Sequence, residues 1–216
     1  MSSGMYPNDN IVSIEREREQ QMNVKEAIMG RRSVRKYKKT PIREEDIREI
    51  LEAGIMAPSA SNLQPWYFVA VSRRDKLDQI IETMQKVSEA VMPSLEDRFK
   101  KYPQVVAETR HFIGMLGDAP LCVLVFLYKD DEVYTRKEKE LMQSTAAAIE
   151  NMLLTAYDKG IGSCWMTSPL EAGLDEALRE QFAPDKGKMM ALLTFGYPDQ
   201  EPRMPKRREG RYEIIS

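Results

Sequence analysis

The chain has 216 residues, 42% of them hydrophobic and 31% charged, and its 32 Lys plus Arg against 34 Asp plus Glu leave a formal net charge of −2. That length suits one domain with a substantial core, and the balanced charge excludes a general electrostatic drive toward nucleic acid or anionic membrane. No run is long and apolar enough to span a bilayer and the first residues lack a signal-peptide core, so a cytoplasmic protein with no membrane and no nucleic-acid partner is expected.

Residues 1–22 form an N-terminal arm around the charge-dense run Glu15 to Gln21, with few apolar anchors. The first helix is signalled by Asn23 as its cap and Glu26 completing a capping box; Val24, Ala27 and Ile28 make its apolar side and Gly30 stops it. Arg31, Arg32, Ser33, Val34 and Arg35 follow at once. In an extended segment Arg31, Ser33 and Arg35 share a face. That face reads either as a solvated patch or as a phosphate clamp, since arginine forks donate paired hydrogen bonds to phosphate oxygens.

Thr40 and Pro41 lead into a helix with Ile47, Ile50, Leu51, Gly54 and Ile55 at helical spacing, ending at Pro58. The stretch from Pro58 to Trp66 is a polar turn held between two prolines. Its Ser59, Ser61, Asn62 and Gln64 offer donors and acceptors beside Trp66 as an apolar wall, which suits a planar polar ligand as well as an ordinary loop. Tyr67 to Val71 reads as a buried strand. A helix from Arg74 to about Val91 carries Leu77, Ile80, Ile81, Met84 and Val87, and Pro93 breaks it. A second helical segment then runs to Gly117, and the pair is either a lid over a pocket or plain structural packing.

Leu121 to Leu127 is the strongest strand signal, followed by a charged connection from Lys129 to Lys139. Leu141 to Tyr157 is a central helix whose Ala146, Ala147 and Ala148 let a neighbour approach closely. Ser163 to Thr167 is a strand running into Ser168 and Pro169, a helix carries Leu174, Leu178 and Phe182, and Met189 to Gly196 is the last core strand. The tail from Pro202 to Arg211 is basic and punctuated by proline, and Tyr212 to Ile215 can add a final strand. Strands and helices thus alternate, with helices enough to cover both faces of one sheet in three layers.

Neither a G-x-G-x-x-G nor a Walker-type sequence is present, so a bound phosphate needs side chains, and the cations at 31–35 and 206–208 are the two candidate clusters. Cys122 and Cys164 lie apart inside apolar runs and read as small buried hydrophobes, with no metal site. One histidine, His111, and no G-x-S-x-G elbow give hydrolytic triad chemistry no support. A redox enzyme with this inventory needs a cofactor to carry electrons.

The segments Arg31 to Arg35, Pro58 to Trp66, Asp118 to Pro120, Gly160 to Ser163, Gly196 to Pro198 and Pro205 to Arg208 occur in an order and spacing that resembles the FMN-dependent nitroreductase family, over about residues 23 to 212. The resemblance implies an α+β, three-layer fold: a central, mainly antiparallel mixed sheet flanked by helices, in an intertwined homodimer with FMN at the subunit interface. It also implies a lid at about 85–117 and a C-terminal exchange segment at about 198–216. By the same resemblance Arg31, Arg32, Ser33 and Arg35 hold the FMN phosphate and ribityl chain, Arg35 also approaches the flavin pyrimidine, and Lys206 and Arg208 close on the phosphate. Pro58, Ser59, Ala60, Ser61 and Asn62 approach from the partner subunit, with Asn62 at the isoalloxazine edge. Gln143 is a further cofactor contact. Thr167, Ser168, Pro169 and Leu170 lie near flavin N5, with Ser168 as the candidate hydroxyl partner.

The activity so implied is hydride uptake from NADH or NADPH and reduction of a nitroaromatic, quinone or related small electrophile in alternating half-reactions, with the flavin carrying the hydride and no protein nucleophile. Two alternatives stand beside it. One is reductive dehalogenation of a halogenated phenol, as in the related iodotyrosine deiodinases, although Ile113 and Gly114 fall where their lid lysine is expected. The other is a flavin-binding protein without turnover.

Overall fold

A capping box opens the first helix. Asn23 Oδ1 accepts from the Glu26 amide and Glu26 Oε2 accepts from the Asn23 amide, both at 3.0 Å, which satisfies two donors that the first turn leaves free. The computed structural model describes residues 22–215, so residues 1–21 of the expected arm lie outside the described residues. Helix α1 spans Val24–Gly30, α2 Glu44–Ile55, α3 Arg74–Arg98, α4 Pro103–Met115, α5 Glu132–Arg136, α6 Glu138–Asp158, α7 Ser168–Glu171 and α8 Asp175–Phe182. Strands β1 (Trp66–Val71), β2 (Leu121–Leu127), β3 (Gly162–Met166) and β4 (Met189–Gly196) form one sheet in the order β1-β2-β4-β3.

The alternation of β2 builds the layers. Leu121, Val123 and Val125 pack on one face with Ile50 of α2 and Ile149, Met152 and Leu153 of α6. Cys122, Leu124 and Phe126 pack on the other with Leu77, Ile80 and Met84 of α3 and Phe112 of α4. All seven β2 residues are buried, as a central strand covered on both faces requires, and each large side chain is worth roughly 1.5–3 kcal/mol of burial. In β4 a bulge opposite Val125 and Phe126 shifts the register, so Met189 and Ala191 face opposite layers although two residues apart.

Several expectations need adjustment. Every strand pair among the described residues is antiparallel, and the parallel element of the expected mixed sheet is reduced to an isolated bridge between Ser33 and Ser163. Strand β1 is an edge strand with a partly exposed face, not a buried one. Pro93 lies inside α3 and does not end it. Both Pro93 and Glu89, whose carbonyl loses its amide donor, are exposed, a position at which solvent is available to that carbonyl. Pro103 starts α4 at its first turn, where a missing amide costs nothing. The charged connection contains α5, capped by Asp131. Of α1 only Ala27 is buried, whereas Val24 and Ile28 are 72% and 57% exposed. Tyr212 to Ile215 form no strand within the chain, and Tyr212, Ile214 and Ile215 are 87%, 82% and 90% exposed.

Candidate functional site

Beyond α1 the chain turns extended and runs beside edge strand β3. The Val34 amide donates to Ser163 O at 2.9 Å, and the buried Tyr37 hydroxyl donates to Val34 O at 2.6 Å. Burial pushes the Tyr37 phenol well above its ordinary pKa, so it stays a neutral donor. With Val34 turned into the core, its neighbours of opposite facing, Ser33 and Arg35, and with them Arg31 line a cavity of about 360 Å³ with Arg32, Arg203 and Arg207. No acidic side chain lines it.

The arginines differ in what already holds them. Arg32 donates to the carbonyls of Met29 and Arg31 at 2.8 and 2.6 Å. Arg31 Nε is 3.2 Å from Glu150 Oε1, yet it is buried and makes no hydrogen bond, because the pair's angle is wrong for one. Arg35 lies 5.9 Å above the ring of Phe112, a cation–π distance. Behind it Gly117, at φ +62°, approaches so closely that a Cβ there would sit 2.3 Å from Arg35 O. Glycine is required at that point by both conformation and space.

Lys206 and Arg208 do not line the arginine cavity. They are exposed and form a separate shallow recess with Arg207 and Glu209. In the tail Arg203, Pro205 and Arg207, at a spacing of two, line the arginine cavity with Pro202. That period of two is a signal the reading of a contiguous 206–208 cluster passed over.

The polar turn is elsewhere on the chain. Asn62, Gln64 and Trp66 line a cavity of about 740 Å³ with Tyr67, Tyr128 and Tyr134. Pro58, Ser59, Ala60, Ser61 and Gln143 do not line it. Ser61, Asn62 and Gln64 all have positive φ, at 52°, 54° and 45°. Ser59 Oγ accepts from the Gln64 amide at 3.0 Å, and Gln64 Nε2 donates to Asn62 Oδ1 at 3.0 Å. Gln143 is exposed on α6. Within one chain the arginine cavity and the Asn62 turn thus share no lining residue.

At the end of β3, Thr167 Oγ1 donates to Glu171 Oε1 at 2.9 Å. Ser168 and Pro169 are buried at the start of α7, and Leu170 packs against the core. Ser168 Oγ and Ser163 Oγ are buried without hydrogen-bond partners, an arrangement that normally costs roughly 1–3 kcal/mol per group. A cavity lined by four further arginines besides Arg31, which Glu150 partly neutralises, and by no carboxylate, together with orphaned buried hydroxyls at both ends of β3, fits a ligand that carries a phosphate and a polar ring. Burial pushes the Cys122 thiol up to about 12, and that of Cys164 up against the opposing pull of Arg35, Ser33 and Arg31. Neither is a nucleophile at neutral pH. Among the described residues no group of three His, Cys, Asp or Glu side chains is placed to hold a metal.

Comparison with known proteins agrees with this geometry. The Nitroreductase family profile matches residues 28–197. A Bacillus subtilis protein named "Putative NAD(P)H nitroreductase YfhC" is 28% identical over 85% of this chain and 89% of its own. The crystal structure of a BluB-like flavoprotein from Clostridium difficile superposes with a TM-score of 0.70 at 28% identity, covering 90% of this chain and 100% of the other. A nitroreductase with bound FMN from Bacteroides fragilis gives 0.67 at 26% identity, with the same coverage.

Proposed function

The chain belongs to the nitroreductase family, and on that premise we propose that it is an FMN-dependent oxidoreductase that draws on NADH or NADPH to reduce a small electrophile such as a nitroaromatic or quinone. The observation that carries this reading is the arginine cavity: Arg31, Arg32, Arg35, Arg203 and Arg207 converge with Ser33, and no carboxylate lines the space. A phosphate dianion needs more than one cation to offset its lost hydration, and guanidinium forks supply paired donors in the matching geometry. The FMN-bound Bacteroides relative supports FMN as the group held there.

FMN, when bound, would supply the hydride-transfer chemistry that no side chain of this site offers. The chain's residues bind and orient it. Arg31, Arg32 and Ser33 hold the phosphate and ribityl chain, with Arg203 and Arg207 joining Lys206 and Arg208 as the cations of the tail. Arg35, steadied by Phe112 and Gly117, is the fixed positive charge for the flavin pyrimidine, where negative charge builds on reduction; a preorganised charge there costs no rearrangement. Ser168, buried with a free hydroxyl, holds its hydrogen bond for N5, and Thr167, Pro169 and Leu170 shape that wall.

Asn62 and its turn, with Pro58 to Ser61 and Gln143, serve the flavin of a second copy of the chain. A homodimer explains why the turn and the arginines line different cavities of one chain. It also gives the exposed Tyr212 to Ile215 a partner surface to cross.

Titration of the flavin-free protein with FMN tests the phosphate assignment. Wild type binds one FMN per chain, and Arg31→Ala with Arg35→Ala weakens binding at least tenfold while flattening its salt dependence. Unchanged affinity in that double variant contradicts the assignment.

A further inference from the structure

We infer that Ser144 of α6 is a positioning residue that clamps the strained Asn62 turn into its flavin-facing shape. The inference rests on the flavin reading above and adds a residue that the reading does not use.

The turn is costly as it stands. Ser61, Asn62 and Gln64 each sit at positive φ, a region that asparagine enters readily but in which residues such as Ser61 and Gln64 persist when their surroundings hold them. Two of the hydrogen bonds that hold it are internal, Gln64 N to Ser59 Oγ and Gln64 Nε2 to Asn62 Oδ1, and bonds within a turn can move with it. The bond that fixes the turn to the scaffold runs from the Ala60 amide to Ser144 Oγ at 3.1 Å, across 84 residues of sequence.

Ser144 is built for that task. It is buried, and its hydroxyl proton is committed to the Glu140 carbonyl one turn earlier at 2.7 Å. A hydroxyl has one proton and two lone pairs, so donating to Glu140 leaves the oxygen fixed as an acceptor aimed at the turn. One turn further along α6, on the same face, Ala148 packs against Ala57 and Trp66, the residues that flank the turn on either side. Ser144 and Ala148 therefore grip the turn and its two ends from one rigid helix.

The consequence falls on Asn62. Its Oδ1 is occupied by Gln64 Nε2, which leaves the Nδ2 group as the donor free to meet a carbonyl oxygen or ring nitrogen of the flavin. Without Ser144 the Ala60 amide loses its partner and the left-handed residues lose the anchor that holds them in place.

The test compares Ser144→Ala, Ser144→Thr and Asn62→Ala in the full chain, by amide hydrogen exchange of residues 60–64, FMN titration and the flavin's reduction potential. Ser144→Ala is expected to speed exchange at residues 60–64, weaken FMN binding about three- to tenfold and shift the potential. Ser144→Thr, which keeps the hydroxyl, stays near wild type. In the Asn62→Ala background Ser144→Ala adds little to the loss of affinity, because both act through one contact. Unchanged exchange at residues 60–64 overturns the clamp, and so do affinity losses that add in full, or a lowered melting temperature with affinity and potential intact. Wild-type protein that takes up no FMN overturns the flavin reading instead, and exchange then decides by itself whether Ser144 holds the turn.

Discussion

Asp46 is buried in the first turn of α2, and two cations set its state. Arg43 donates to it twice, at 2.9 and 3.1 Å, and Lys159 Nζ, just past the end of α6, lies 3.1 Å from Asp46 Oδ1 and 2.5 Å from Glu49. The Arg43 hydrogen bonds, aided by Lys159 and opposed by partial desolvation, hold the Asp46 carboxyl below its ordinary range. A carboxylate whose folded pKa lies below its unfolded one contributes stability above the unfolded value and loses it as pH falls through the folded one. This clip between α2 and α6 should therefore hold at neutral pH and fail below about pH 4. Urea denaturation at a series of pH values checks it: Asp46→Asn lowers stability at pH 7 and shows a shallower acid decline than wild type, whereas parallel curves contradict the role. None of this was legible in the sequence. The sequence marks neither Arg43 nor Asp46 as special: Arg43 stays exposed, and the burial of Asp46 beside Lys159, more than a hundred residues on, is set by tertiary packing.

At the scale of elements, local chemistry predicted what local chemistry controls. The Asn23 and Glu26 box, strand β2 and the small residues of α6, of which Ala147 and Ala148 pack beside Trp66 and Ala57, all appear where the sequence placed them. Pro93 is the instructive exception. The apolar stripe of Leu77, Ile80, Met84, Val87 and Met92 is carried past it by Leu95, partly buried against the same core, and that packing offsets part of a local penalty of about 3 kcal/mol. Pro93→Ala should thus stabilise the protein by about 1–3 kcal/mol, read as a higher urea midpoint with an unchanged slope; a lower midpoint would mean that α3 needs its proline. The exposure of Tyr67 and Ala70 in β1 was illegible for a different reason. Its run of apolar residues reads as buried, and only the order of the sheet, set by pairing with β2 on one side alone, makes it an edge. Helix α5 escaped because it has no apolar period, although Asp131 was a readable cap.

For the whole molecule, what one chain leaves uncovered is as informative as what it buries. Val24, Ile28 and Met29 on α1, Ile55 and Met56 at the end of α2, Met142 on α6 and the terminal Tyr212, Ile214 and Ile215 are all exposed, which is costly for a lone chain and ordinary for one that pairs. The candidate site has the same incomplete character. The arginine cradle was largely visible in the sequence, because contiguous cations in an extended segment must alternate; Arg203 and Arg207 were not, because the packing of the tail decides which of its cations turn inward. The Asn62 turn was visible as a polar stretch between prolines, but its positive φ angles and its anchor on Ser144 needed coordinates. On the proposed function these parts together make a flavin enzyme fed by a nicotinamide. The most direct measurement is anaerobic stopped-flow mixing of the FMN-loaded protein with NADH and, separately, with NADPH. The account predicts that at least one of them bleaches the flavin's visible absorbance and that a nitroaromatic or quinone then restores it. A flavin that neither nicotinamide bleaches would contradict it.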